Sequence, residues 1–266
     1  MTGSTDAHAV AAAAHWFTAL GHRQEHVPGL ATFTITPATP DHWDGNNASL
    51  VETGDAAALL DALDVRMPHT SWRVVRTHAV EPPAIEAELV LRGFDLYGTV
   101  IQMVATAAPV VAARGGHRPV ASDADWALLT PMVRADAEEG GDRHQPLPST
   151  VIDAIIASYR SKAPDVRFHL LEQDGAAIGY GSTAVAPNGI GIVEHLFVQP
   201  EHRSGGVMSA FIADAVEELL AQGCQAAMLG ARAGERPRRL YARLGFRPVL
   251  LMRTWVLNKN GPSPAA

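Results

Sequence analysis

The stretch from Gly191 to Ser209 constrains this chain most. Gly191 to Val198 is an apolar run with the character of a buried strand, and Val207 to Gln222 is an amphipathic helix. Between them lies a short loop that ends in Ser204, Gly205 and Gly206. A strand feeding a glycine loop that opens a helix leaves the first-turn N–H groups without helical partners. The aligned peptide dipoles add about half a positive charge there, so phosphate and pyrophosphate are natural guests. Gly205 and Gly206 let the backbone approach a guest and reach positive φ without strain. A P-loop would end in Gly-Lys-Ser/Thr, whereas this loop continues into Val207 and Met208. The dinucleotide pattern G-x-G-x-x-G is absent as well. Taken alone, the same glycines also fit an ordinary loop and helix start.

Bulk properties narrow the field. A chain of 266 residues has room for one large or two small domains. Its 47% hydrophobic and 18% charged residues are those of a globular protein. The formal charge of −7 argues against a general nucleic-acid or anionic-membrane surface. Cys224 is the only cysteine, which excludes an internal disulfide and fits a reducing, cytoplasmic setting; it is expected as core filler. No apolar run approaches the ~20 residues that span a bilayer. The run Ala9 to Ala14 has no basic stretch before it and is expected as a short helix. His15, His22 and His26 lack a tight ligand spacing, so no metal is expected.

Along the first half, the patterns predict a helix over Val10–Leu20, an alternating strand over Leu30–Thr36, and a turn at Trp43–Asn47. A return strand over Ala48–Glu52, a helix over Asp55–Leu63 and a strand over Ser71–Thr77 follow, then a helix over Ala84–Leu91 and a strand over Gly98–Ala105. The linker is expected at Ala107–Arg114 with Gly115 and Gly116. In the second half, Ser122 caps a helix over Asp123–Glu139 with Asp125 at its third position, and a loop over Gly140–Pro146 precedes a helix over Thr150–Tyr159. Three strands follow, joined at Asp174-Gly175 and Asn188-Gly189, both strong hairpin signals. After the glycine loop and its helix come a strand over Ala226–Gly230, a helix over Glu235–Leu244 and a last strand over Phe246–Leu257. The segments Glu88–Phe94 and Leu240–Phe246 are both helix, Gly-Phe, then strand, a faint internal repeat.

The order β-α-α-β-β-β-α-β-α-β of the second half, and Arg203-Ser-Gly-Gly206-Val-Met208 behind Val198-Gln-Pro200, resemble the GNAT superfamily of acyl-CoA-dependent N-acyltransferases. That family carries Arg/Gln-x-x-Gly-x-Gly/Ala behind Val-x-Pro; Met208 departs from it. The resemblance implies an α+β fold with a mixed, mostly antiparallel sheet flanked by helices. The turn Trp43-Asp-Gly-Asn46 is similar to one in two-part members, implying a degenerate GNAT-like domain over 1–114, a catalytic domain over 115–258 and a disordered tail over 259–266. It further implies acetyl-CoA or another acyl-CoA as co-substrate. Its arm would lie along Leu196, Phe197 and Val198, and its diphosphate on Arg203, Ser204, Gly205, Gly206, Val207, Met208 and Ser209. Tyr241 matches the family's tyrosine that protonates the leaving thiolate; Gly234 and Pro237 depart from the segment before it. The first half lacks the loop and is expected to shape the acceptor pocket.

Amide formation from a thioester needs a neutral amine, and a free alkyl amine is neutral in only about one molecule in a thousand at pH 7. Glu194 and His195 are the candidate bases. Strict alternation would place them on opposite faces of their strand, and both faces look apolar, so pattern does not choose; Glu194 is preferred. The expected activity is acetyl transfer to an amine of a small molecule or peptide, with no nucleic-acid or membrane partner and a homodimer left open. A non-catalytic acyl-CoA-binding or regulatory protein is the alternative.

Overall fold

The computed structural model describes residues 6–82, 84–111, 116–139, 147–234 and 236–260. The expected loop over Gly140–Pro146, the 114/115 boundary with its glycines up to Gly115, and the tail from residue 261 on lie outside the described residues. Two compact units form. One comprises Met1–Gln102, Gly230–Arg238 and Pro248–Ala266; the other comprises Met103–Leu229 and Arg239–Arg247.

The first unit contains α1 (Ala7–Ala19), β1 (Arg23–Val27), β2 (Ala31–Ile35), β3 (Asn47–Ser49), α2 (Ala56–Arg66), β4 (Trp72–His78), α3 (Ala84–Leu91), most of β5 (Asp95–Ala105) and most of β11 (Arg247–Asn258). Its strands run in the order β1-β2-β3-β4-β11-β5. Alternation in β2 works as the sequence implies: Ala31, Phe33 and Ile35 join Ala48, Leu59, Leu63, Val75, Ile85 and Leu89 in one apolar core. Asp55 caps α2 by accepting from the Ala57 and Ala58 N–H groups at 2.9 and 3.2 Å, a contact worth about 1 kcal/mol. The expected turn is a short 3-10 segment over Trp43–Gly45. The Asn46 side chain secures it, donating to the Thr39 and His42 carbonyls at 2.8 and 3.1 Å. β1 carries no signal in the sequence, because Arg23-Gln-Glu-His-Val27 is too polar; it lies at the edge of the sheet, paired with β2. One expectation needs correction. The return strand stops at Ser49, because Leu50 takes φ 48° and leaves the extended region.

The second unit holds β6 (Gly116–Pro119), α4 (Asp123–Glu139), α5 (Ser149–Lys162), β7 (Val166–Gln173), β8 (Ala176–Val185), β9 (Ile190–Val198), α6 (Val207–Ala221), β10 (Ala226–Arg232, its first four residues) and α7 (Pro237–Arg243, from Arg239). The sheet order is β10-β9-β8-β7-β6, antiparallel except for β10 against β9. Ser122 and Asp125 form the expected reciprocal cap: Ser122 Oγ accepts from the Asp125 N–H at 3.2 Å, and Asp125 Oδ2 accepts from the Ser122 N–H at 2.9 Å. Both hairpins occur. Asp174 and Gly175 have φ of 51° and 80°, as a two-residue primed turn requires. Asn188-Gly189 instead sits in a longer turn, with the Gly189 N–H on the Ala186 carbonyl at 2.9 Å. α6 lies close on the sheet because glycines lie beneath it: a Cβ at Gly181 would meet Phe211 at 2.2 Å, and one at Gly191 would meet Leu219 at 3.0 Å.

The faint repeat is geometrical as well. Gly93 and Gly245 both have positive φ, 81° and 88°. The Phe94 N–H reaches the Leu89 carbonyl, and the Phe246 N–H the Tyr241 carbonyl, each at 3.0 Å. Both are the same left-handed helix stop.

Two outcomes follow from this packing. Gly181→Ala forces a methyl against Phe211, which is 1% exposed; urea unfolding should show a loss of about 2 kcal/mol or more. His169 is 3% exposed, and burial, helped by the charges of His117 and Arg167, pushes its pKa down to about 4. The unfolded chain therefore takes up this proton first. The stability involved is whole above about pH 6.5 and drains away as pH falls towards about 4. His169→Gln should flatten that acid limb by on the order of 3 kcal/mol in denaturant titrations.

Candidate functional site

The mouth of α6 is built by backbone conformation. Gly206 is the N-cap residue at φ 83°, and no side chain caps the helix. Nothing crowds a Cβ at Gly206, so the glycine is required for its φ. Ser204 also has positive φ, 72°. Arg203 to Gly206 are exposed, and Val207, Met208 and Ser209 are half-buried. Met208 thus stays at the helix entrance instead of sinking into the core. Arg203 does something other than face a phosphate. Its Nε donates to the Val198 carbonyl at 2.8 Å, and its two terminal nitrogens donate to the Glu139 carboxylate at 2.5 Å each. This fork-to-fork pair holds the Glu139 carboxyl below the usual range and the Arg203 guanidinium above it. Arg203 fastens the loop to the end of β9 and to α4.

β9 carries the second feature. Its ladder with β10 runs only from Ile190 to Ile192, while the strand continues to Val198. On its other side a bulge interrupts pairing with β8: Tyr180 opposes Phe197 and Ser182 opposes Glu194, so His195 and Leu196 share Gly181. His195 sits at φ 55°, a left-handed conformation that costs a non-glycine residue about 1 kcal/mol. Such outliers gather where structure serves function. The bulge overturns the expected alternation. Cross-strand partners point to one side, so Glu194 and Phe197 share a face although they are three residues apart. His195 also reaches that side: its Nδ1 is 3.0 Å from Ser182 Oγ, and its ring lies 4.1 Å from Tyr159 and 5.5 Å from Phe168.

Two members of this neighbourhood had no sequence signal. Ser182 orients His195, and Tyr180 donates its hydroxyl to Asp136 at 2.6 Å; burial raises the Tyr180 pKa well above its ordinary value. Their partners lie 13 and 44 residues away in the chain, so only the fold brings them together. Tyr241 lies on α7, 6% exposed, its ring 6.4 Å from Phe246. Pro237, a departure from the family pattern, is the first residue of α7, where a missing N–H costs nothing. Phe197 and Val198 are buried, and Glu194, His195 and Leu196 half-buried. Cys224 is buried, which raises its thiol pKa and suits a packing role. Among the described residues no cluster of three or more His, Cys, Asp or Glu could hold a metal ion, and no helix is long and apolar enough to cross a membrane.

Residues 130–246 match the family model "Acetyltransferase (GNAT) family". No curated protein matches the chain. Among solved structures, a GCN5-related N-acetyltransferase from Kribbella flavida is similar at 18% identity and a TM-score of 0.68, covering 97% of each chain. A functionally unknown protein from Staphylococcus epidermidis is 11% identical with a TM-score of 0.68, covering 89% of this chain and 94% of that one. A tandem GNAT protein from the clavulanic acid biosynthesis pathway is 15% identical with a TM-score of 0.55, covering 82% of this chain and 76% of that one. With its uncapped glycine mouth, its bulged strand and its likeness to these structures, the chain has the GNAT fold, and its residues 130–246 match the GNAT acetyltransferase family.

Proposed function

We propose that the protein transfers an acyl group, in the simplest case acetyl, from acyl-CoA to the amine of a small molecule or peptide. The observation that carries this reading is the edge of β9 beyond Ile192, which leads straight into the uncapped mouth of α6. Backbone groups of Leu196 to Val198 would pair with the amide-bearing arm of the co-substrate as an added strand does. The N–H groups at Gly206, Val207, Met208 and Ser209 would take its diphosphate, with Ser204 and Gly205 shaping the approach. The amine nitrogen attacks the thioester carbonyl, and the tetrahedral intermediate collapses with cleavage of the C–S bond. The departing thiolate takes the phenolic proton of Tyr241, and the amine proton leaves to a base. Glu194 is the first candidate for that base. His195, held by Ser182 on the same side of the strand, is the second. The first unit, with its matching Gly-Phe stop, is read as a degenerate copy of the fold, and the single cysteine fits a cytoplasmic setting.

Release of free thiol from acetyl-CoA in the presence of an amine panel tests the reaction. Tyr241→Phe should slow it at least about tenfold; equal rates would remove the acid role. Binding of coenzyme A by calorimetry with no turnover on any amine would instead support the non-catalytic alternative. Met208→Ala should open the helix mouth and lower KM for acetyl-CoA about threefold with kcat little changed. For the base, Glu194→Gln and His195→Gln are to be compared by pH profile. The variant that abolishes the acid limb of kcat/KM identifies the group, and retention of that limb in both excludes the two residues.

A further inference from the structure

The sheet of the first unit buries polar side chains on the face opposite its apolar core. Register places Gln24 beside Thr34 and His26 beside Thr32, then Thr32 beside Ser49 and Thr34 beside Asn47. Ala48 aligns with Val75, so Arg76 and His78 fall on the same polar side as Asn47 and Ser49. Met252 of β11 lies opposite His78. Thr34, Asn47, Ser49 and His78 are 1%, 2%, 4% and 8% exposed. α1 contributes His15 and Thr18 to a small cavity that these strands also line. Burying so many polar groups on one face costs stability unless each finds a partner.

Several do. Ser49 Oγ is 2.8 Å from His15 Nδ1, and His15 Nε2 is 3.0 Å from Gln24 Oε1. Asn47 Nδ2 donates to the Trp43 and Asp44 carbonyls at 2.9 and 3.0 Å. Two cavity-lining residues do not follow this pattern. Arg76 spends a terminal nitrogen on Asp44, but its Nε is buried without a hydrogen-bond partner. Both ring nitrogens of His78 are buried without one too; its Nε2 lies 3.2 Å from Glu81 Oε1, out of line for a hydrogen bond. Arg76 Nε can only donate, and a neutral histidine has one N–H to offer. The unfilled demand in this cavity is therefore chiefly for an acceptor. The free space is about that of a water-sized body, which excludes a large ligand.

We propose that this cavity is a binding site for a small monovalent anion, a halide or the head of a carboxylate such as formate, held by Arg76 Nε and His78. The site lies within the first unit and is independent of the acyl-transfer reading. Groups facing His78 are Glu81, His8 and His15, with Arg76 on the same strand and Glu86, bound to Arg253, behind Glu81. Burial pushes the His78 pKa down and raises that of Glu81 to about 7. An anion gains from protonation of either group, so binding tightens as pH falls through that range.

The test uses the full chain, titrated with sodium chloride, bromide, formate or acetate against sodium sulfate at matched ionic strength. Melting temperature and calorimetry are the readouts. A saturable rise with halides alone assigns a halide site; a rise with formate and acetate but not halides assigns a carboxylate head. Either should be stronger at about pH 6 than at about pH 8. Arg76→Lys keeps the charge for Asp44 and loses the fork, and should weaken binding about tenfold. His78→Gln should weaken binding as well and leave only the part of the pH dependence that Glu81 supplies. Anomalous scattering from bromide-grown crystals locates the ion even where a variant fails to fold. The proposal is overturned by the absence of any ion-specific shift, by a shift that survives both substitutions, or by a bromide that sits elsewhere.

Discussion

Everything at the candidate site turns on where the regular pairing of sheet and helix is interrupted. A folded chain pairs nearly all its buried N–H and C=O groups, so a break in the regular ladder carries meaning. β9 is such a place. Its ladder to β10 ends after Ile192, its ladder to β8 is broken around His195, and the helix that follows begins without a side-chain cap. The three interruptions all fall between Ile192 and Gly206. Arg203 holds them in order by joining the Val198 carbonyl to Glu139. The guanidinium does for the loop what a cofactor contact would not: it keeps the loop shaped in the absence of a ligand.

The two faces of the first unit's sheet show how much one alternating strand can encode. Phe33 points into an apolar core and Thr34 into a polar cavity, and the two are equally hidden from water. A period of two reports which residues share a side, not whether that side is wet. Covering the polar side with α1 forces those hydroxyl, amide and imidazole groups to satisfy one another, and the geometry leaves a small remainder at Arg76 and His78.

Much of the fold was legible in the residues. Glycines with positive φ marked helix stops and turns, Ser122 with Asp125 marked a helix start, and apolar periodicity marked the core faces. The order of elements in the second half followed from these alone. What stayed hidden were features made by contact across sequence distance. Nothing in Arg23-Gln-Glu-His-Val27 announces an edge strand, whose stability is borrowed from β2. The bulge at His195 is invisible because it belongs to the register between two strands, not to either one. For the same reason strict alternation would separate Glu194 and His195, whereas the folded strand brings them to one side. Arg203 was expected at the phosphate because it adjoins the loop; its partner Glu139 is 64 residues away.

The paired Gly-Phe stops carry a last consequence. At the position where the second holds Tyr241, the first holds Leu89, each offering its carbonyl to the following phenylalanine. The backbone device occurs twice, but only one version carries a hydroxyl, and a leucine has no proton to give. The stop itself asks for a glycine and a carbonyl and is indifferent to the side chain at that position, which is left open to an apolar group in one segment and an ionisable one in the other.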